Sequence, residues 1–164
     1  MLIKDNHDYD AVIRTPFPGG ANQLAIRVEG GRLRELAFLS DAARLKPPAN
    51  SAAREVVAQL NAYFADPCYR FTLQLAPQGT DYQQRVWNML RRCPPGKVWS
   101  YGNLAEKIRS GPRAVGNACR RNPIPIVVPC HRVVSAQGLG GYAGKTTGDN
   151  LSLKQWLLQH ESAI

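Results

Sequence analysis

A thiol, an imidazole and a guanidinium stand side by side at Cys130, His131 and Arg132. An apolar run from Ile124 to Val128 precedes them and is stopped by Pro129; the β-branched pair Val133-Val134 follows. That arrangement suits a nucleophile set into a wall between two stiff segments. A sulfur nucleophile needs a lowered pKa, which a nearby His or Arg supplies. A cysteine in an apolar run is commonly just a small core residue, and one Cys with a His elsewhere is weak evidence of catalysis. Three polar groups buried among Val, Ile and Pro are costly without partners, so the fold is expected to supply them.

Composition narrows the class of protein. The length of 164 residues suits one domain or two small lobes, and 44% apolar residues provide a core. No apolar run approaches the ~18 residues of a membrane span. Residues 1–15 carry Asp5, Asp8 and Asp10 and lack a secretory apolar stretch. A cytoplasmic protein is expected, nucleoid-associated if bacterial. Cys68, Cys93, Cys119 and Cys130 show no C-x2-C spacing, and His7, His131 and His160 make no ligand cluster with them. Free thiols and no metal are expected. Of the net charge of +9, little lies in the first half: residues 1–80 hold 9 Lys/Arg and 8 Asp/Glu, whereas residues 81–164 hold 12 and 4. A polyanion partner for the second half fits this asymmetry, as does a merely well-solvated basic face.

The elements that must position these residues fall into two textures. Residues 10–45 read as β, with Leu24–Val28 and Leu33–Leu39 joined through Glu29-Gly30-Gly31-Arg32, a hairpin signal. Ala53, Val56, Val57, Leu60 and Phe64 mark one face of a helix over 51–64, and alternation over Phe71–Leu75 predicts a further strand. The expected architecture is α/β (α+β): a small N-terminal sheet/helix lobe over 1–77, then a mostly helical C-terminal domain over 78–164. In the latter, Thr80 with Gln83 forms a capping box, opening a helix that buries Val86, Trp87 and Leu90. Ser100 caps a helix over 101–109; Pro112 opens another that runs to about Arg121; a last helix over 151–160 buries Leu153, Trp156 and Leu157. Residues 100–122 thus form a helix-turn-helix candidate. Its second helix carries Arg113, Arg120 and Arg121 with small residues, Ala114 and Gly116 among them, in between. Long polar side chains for reading the major groove are few there. Small residues permit close approach to a minor groove, largely without regard to sequence.

Several stretches, in order, resemble the O6-alkylguanine-DNA alkyltransferases, also called methylated-DNA–protein-cysteine methyltransferases. Pro129-Cys130-His131-Arg132-Val133 is similar to that family's active-site motif. Residues 79–87 resemble the entry to its C-terminal domain, 95–105 the opening of its helix-turn-helix, Arg113–Gly116 with Asn122-Pro123 its recognition helix, and Trp156–Glu161 its closing helix. The resemblance implies Cys130 as the nucleophile that takes an alkyl group from O6-alkylguanine, and from O4-alkylthymine, in duplex DNA. It implies His131 as base through a water, since neighbours on an extended chain point apart, and Glu161 as the residue orienting the imidazole. Asn122 would brace the thiol-bearing turn, and Tyr101 would give a proton to the flipped base. Arg113 would fill the vacated stack, with Ala114, Gly116, Arg120, Arg121, Tyr101 and Arg132 on the DNA side. Val133, Tyr142 and Ala143 would line the pocket, with a backbone N–H near Ala143 facing O6. The partner implied is double-stranded DNA bearing the lesion, bound by a monomer, with cooperativity on DNA open; no membrane, metal or cofactor is implied.

Compared with some members, the turn before Arg113 looks shorter, Ala143 stands where Ser is often found, and 145–150 looks longer. Three rival classes make different predictions. A lesion-recognising helix-turn-helix protein without transfer chemistry would lack the cysteine. A transcription regulator would read sequence, and a Cys-His-Glu hydrolase would turn over without DNA.

Overall fold

The computed structural model describes residues 8–20, 22–40, 44–142 and 149–164. The chain divides into two compact units, Met1–Pro77 and Gln78–Ile164.

In the first unit, β1 (Ala11–Arg14), β2 (Gln23–Glu29) and β3 (Arg32–Leu39) form an antiparallel sheet in that order. Glu29 pairs with Arg32 across Gly30 and Gly31, whose φ values of +58° and +77° satisfy a two-residue hairpin turn that other residues resist. α1 (Ser51–Ala65) is capped by Asn50, whose side chain accepts from the Ala53 N–H. Its buried face comprises Ala53, Val56, Gln59, Leu60 and Tyr63. Val57 and Phe64, expected on that face, are only half-buried. The face is rotated because Gln59 is drawn inward: its amide accepts from the Thr72 N–H (2.9 Å) and donates to Thr72 Oγ1 (3.0 Å). That also explains why Phe71–Leu75 is not a full strand. A side chain has taken the backbone donor a sheet would use, and a single bridge, Leu33 to Leu75, remains.

The second unit is helical. α2 (Asp81–Leu90) begins with the Thr80/Gln83 capping box and buries Val86, Trp87 and Leu90. α3 (Tyr101–Ile108) begins with a second box, Ser100 with Asn103. α4 (Pro112–Arg120) has Pro at its first position and buries Val115, Ala118 and Cys119. The fully buried Trp87 donates its indole N–H to the Ala118 carbonyl (2.9 Å), tying α2 to α4. Tyr82 and Ser110 share a 2.6 Å hydrogen bond, pinning the turn between α3 and α4 to α2. The closing helix, α5 (Asp149–His160), buries Leu153, Lys154, Leu157 and Leu158. Trp156, expected inside, is half-buried and stacks on His160 at 4.9 Å. No helix among the described residues is long and apolar enough to cross a membrane.

One short pairing decides what meets what. β4 (Trp99–Ser100) runs parallel to β5 (Val133–Val134), with Trp99 opposite Val133. Tyr101 follows β4 directly, and Cys130-His131-Arg132 precede β5 directly. Two residues of sheet thereby bring the start of α3 beside the thiol-bearing turn.

Candidate active site

The apolar run before the thiol is a compact turn, not the extended segment its composition suggests. Asn122 holds it at both ends: its Nδ2 donates to the Val128 carbonyl (2.8 Å), and its Oδ1 accepts from the Ile124 N–H (2.9 Å). Inside the turn Ile126 has a φ of +75°, a conformation that β-branched residues rarely adopt. Cys130–Arg132 then form one turn of 3₁₀ helix, closed by the Arg132 N–H on the Pro129 carbonyl (3.0 Å). Cys130 and His131 thus sit on a helical turn and not on an extended strand.

All three side chains are buried, and the partners that burial demands come from the far end of α5 and the end of α2. His131 Nε2 lies 2.9 Å from Glu161 Oε2. Arg132 donates to the same carboxylate with Nε and Nη2, both at 2.9 Å, and with Nη1 to the Cys93 carbonyl at 2.6 Å. Arg132 is 6% exposed. Its assignment to the DNA side is therefore corrected: the guanidinium is consumed inside the fold, because one carboxylate shared by an imidazole and an arginine satisfies two buried donors at once.

Electrostatics follow from this packing. Glu161 is held far below the usual carboxylate range by its bonds to His131 and Arg132, which outweigh its burial. Burial pushes the His131 pKa down, against the pull of Glu161. The imidazole is therefore neutral, and with Nε2–H given to the carboxylate, Nδ1 is left with its lone pair. That Nδ1 is buried without a hydrogen-bond partner among the described residues. The Cys130 thiol is pushed up by burial, offset in part by Asn122, the charge of Lys154 and a backbone N–H. Of the two neighbours expected to lower the thiol pKa, His or Arg, Arg132 faces Glu161, and burial is the largest influence on Cys130.

Tyr101 is half-buried at the start of α3, with its hydroxyl pushed up to about 12, first by burial and then by Cys119 and Cys130. Val133 and Tyr142 are buried; Ala143 lies outside the described residues. On α4, Arg113, Ala114 and Arg120 are exposed, as is Arg121 at its end, and Gly116 is half-buried. A groove of about 710 Å³ runs between the start of α2 and α4, with Arg120 and Arg121 in its lining. The structure thus gathers Cys130, His131 and Glu161 into one buried array with the half-buried Asn122 beside it, sets Tyr101 at its edge, and leaves the α4 arginines in solvent. Among the described residues no three His, Cys, Asp or Glu side chains converge on a metal position. One residue escaped the sequence reading. Lys154 is fully buried, and the signal was its place on the apolar stripe of α5 between Leu153 and Leu157.

The family described as 6-O-methylguanine DNA methyltransferase, DNA binding domain, matches residues 81–163. A methylated-DNA–protein-cysteine methyltransferase of Methanosarcina mazei is 43% identical over 137 residues, covering 79% of this chain and 84% of that protein. One from Methanosarcina barkeri is 41% identical over 161 residues, covering 93% and 96%. The crystal structure of Mycobacterium tuberculosis OGT in complex with DNA superposes with a TM-score of 0.77 at 39% identity, covering 93% of this chain and 91% of that one. The chain belongs to the methylated-DNA–protein-cysteine methyltransferase family.

Proposed function

We propose that the protein repairs alkylated DNA by direct reversal, moving the alkyl group of O6-alkylguanine, and of O4-alkylthymine, onto Cys130. The observation that carries this reading is the buried array itself: a thiol one residue from an imidazole whose Nε2 is fixed on Glu161, leaving Nδ1 as the base. A neutral imidazole can accept a proton, and the Glu161 carboxylate stabilises the imidazolium once it forms. Because burial holds Cys130 as the thiol, deprotonation belongs to the transfer step: the S–H proton passes to His131 through a water, the sulfur attacks the alkyl carbon, and the C–O6 bond breaks. The electron pair stays on the guanine, and Tyr101, still protonated at neutral pH, neutralises it by giving its proton to the ring nitrogen. The thioether product has no internal route back, so each molecule acts once.

A paired, stacked base hides its O6, so the nucleotide must turn out, at a cost of a few kcal/mol. The exposed Arg113 at the start of α4 is the side chain for the vacated stack. Ala114 and Gly116 let the α4 backbone approach a minor groove, and Arg120 and Arg121 bear on the phosphates. Val133 and Tyr142 line the pocket, and the family resemblance adds Ala143 to them.

Incubation with a duplex holding one O6-methylguanine, followed by intact-mass measurement, tests the reading. A gain of one methylene unit localised to Cys130 is expected. Tight lesion binding with unchanged mass would instead identify a recognition protein without chemistry.

A further inference from the structure

A second groove, of about 380 Å³, runs between α2 and the end of α3. Four cations line it: Arg85 and Arg92 from α2 and the turn after it, Lys107 and Arg109 from the end of α3 and its cap. Asn88, Met89 and Ile108 complete the lining, and no carboxylate is among them. All four cations are exposed. Arg85 gives Nη2 to the Ile108 carbonyl (2.5 Å), which uses one of its five donors and helps to close the end of α3. Lys107 lies over the Trp99 ring at 4.7 Å. Among the described residues, the side chains of Arg92, Lys107 and Arg109 reach no carboxylate and no hydrogen-bond acceptor, and the exposed Glu106 beside Lys107 forms no ion pair with them. Pairing with a nearby acid, the ordinary use of a surface arginine or lysine, is not what these three do. Like charges gathered in one groove repel, and an anion that neutralises several at once relieves them all.

Position decides which anion. Trp87 ties α2 to α4 through the Ala118 carbonyl. Arg85 is two residues from Trp87 and so stands about 200° round the helix. Arg92, seven residues on from Arg85, keeps to the same stripe. The stripe therefore faces away from α4, and the groove that holds Arg120 and Arg121 lies on a different side of α2 from this one. Along the helix it covers about 10 Å, enough to meet more than one phosphate of a strand.

The geometry points to a second DNA-binding surface: the α2–α3 groove takes the phosphate backbone of a second duplex segment while α4 holds the first. This rests on the reading of α4 as the surface that carries the lesion-bearing duplex. The backbone of further DNA is the polyanion already within reach of a chain seated on DNA. Four cations without base-reading side chains around them suit contacts that position without specifying sequence. A protein that acts once and must find a rare lesion gains from such a surface, because it passes from one segment to another without leaving DNA.

Bridging by the full chain tests this. A short undamaged duplex is fixed on beads and loaded with protein, and a fluorescent duplex of the same length is added at low salt. The comparison is with Arg92→Gln/Lys107→Gln, two exposed positions outside the core. The unaltered protein is expected to capture the second duplex. The variant should capture about 10-fold less, with the salt slope of capture lower by about two, one for each phosphate no longer neutralised. Loading on the first duplex should be unchanged, as should methyl transfer from a short duplex holding O6-methylguanine. No capture by the unaltered protein, or equal capture by the variant, would overturn the proposal. A parallel loss of loading on the first duplex would also overturn it, because the groove would then belong to the footprint of the duplex on α4. Equal capture of fluorescent polyglutamate in place of the second duplex would overturn it as well, in favour of an acidic protein. Methyl transfer by the unaltered protein is the separate arm on which the alkyl-transfer reading itself stands or fails.

Discussion

Arg132 and Arg120 are the same residue type twelve positions apart, and they do opposite things. Arg132 is buried, spends its donors on Glu161 and Cys93, and is part of a staple that joins α2, the thiol-bearing turn and the end of α5. Arg120 lies exposed on α4 beside a wide groove. The contrast separates two ways of using charge. Inside, each charge is saturated by a specific partner, so effects of substitution are large and strongly coupled. Outside, charges act through their density, so effects are small, roughly additive and sensitive to salt.

The sharpest division between the regions comes from Cys130→Ala, which should abolish methyl gain in an intact-mass assay while leaving duplex binding by α4 intact. Loss of both would mean that the two regions are not separable. Next is Glu161→Gln. Removing the carboxylate strands a buried guanidinium, for which about 3–5 kcal/mol of lost stability is expected by denaturant titration, with no change in the salt dependence of DNA binding. The same cluster sets an acid limit. The folded His131 pKa lies below its ordinary value of 6.5, so the unfolded chain binds the extra proton and stability should decline as pH falls below that value. Glu161, depressed well below its ordinary 4.5, adds a further loss at lower pH. Thermal melts from about pH 8 down to about pH 4 check this; a flat profile would contradict a neutral buried imidazole.

Effects on the outer surface should be smaller and selective. Arg113→Ala is expected to slow transfer from duplex on the order of 10- to 100-fold, the worth of a few kcal/mol of unstacking, while sparing transfer from the free base. Equal slowing on both substrates would remove its role in the stack. Smallest of all, Arg120→Gln or Arg121→Gln should weaken duplex binding a few-fold and reduce the salt slope by about one for each phosphate no longer neutralised. Arg132→Gln, by contrast, should cost stability and leave the slope unchanged.

Where the sequence was easy to read, the determinants were local. Two capping boxes, Thr80/Gln83 and Ser100/Asn103, contain their own hydrogen-bond partners within three residues, as does the Gly30-Gly31 turn. The pairing of a thiol with an imidazole at Cys130 and His131 is likewise local, since the two residues are neighbours in the chain. What could not be read depended on partners distant along the chain. Gln59 takes the Thr72 amide thirteen residues away and cancels a strand that alternation alone supports. The expectation of Arg132 on the DNA side fails because Glu161, twenty-nine residues on, turns it inward. The burial of Lys154 could not be read, because the three carbonyls that its ammonium meets, those of Val133, Leu139 and Gly141, lie on another segment.

The reach of Glu161, thirty residues beyond His131, carries a biological corollary. A protease cutting within α5 would spare every arginine of α4 and delete the carboxylate. If the fragment kept its fold despite losing part of the buried face of α5, it would be a decoy: able to sit on damaged duplex, unable to mend it, and an obstacle to intact copies. Limited digestion that leaves gel-shift activity while repair disappears would reveal such a product. Quality control of this repair function therefore resides in a helix synthesised after the motif that performs the reaction.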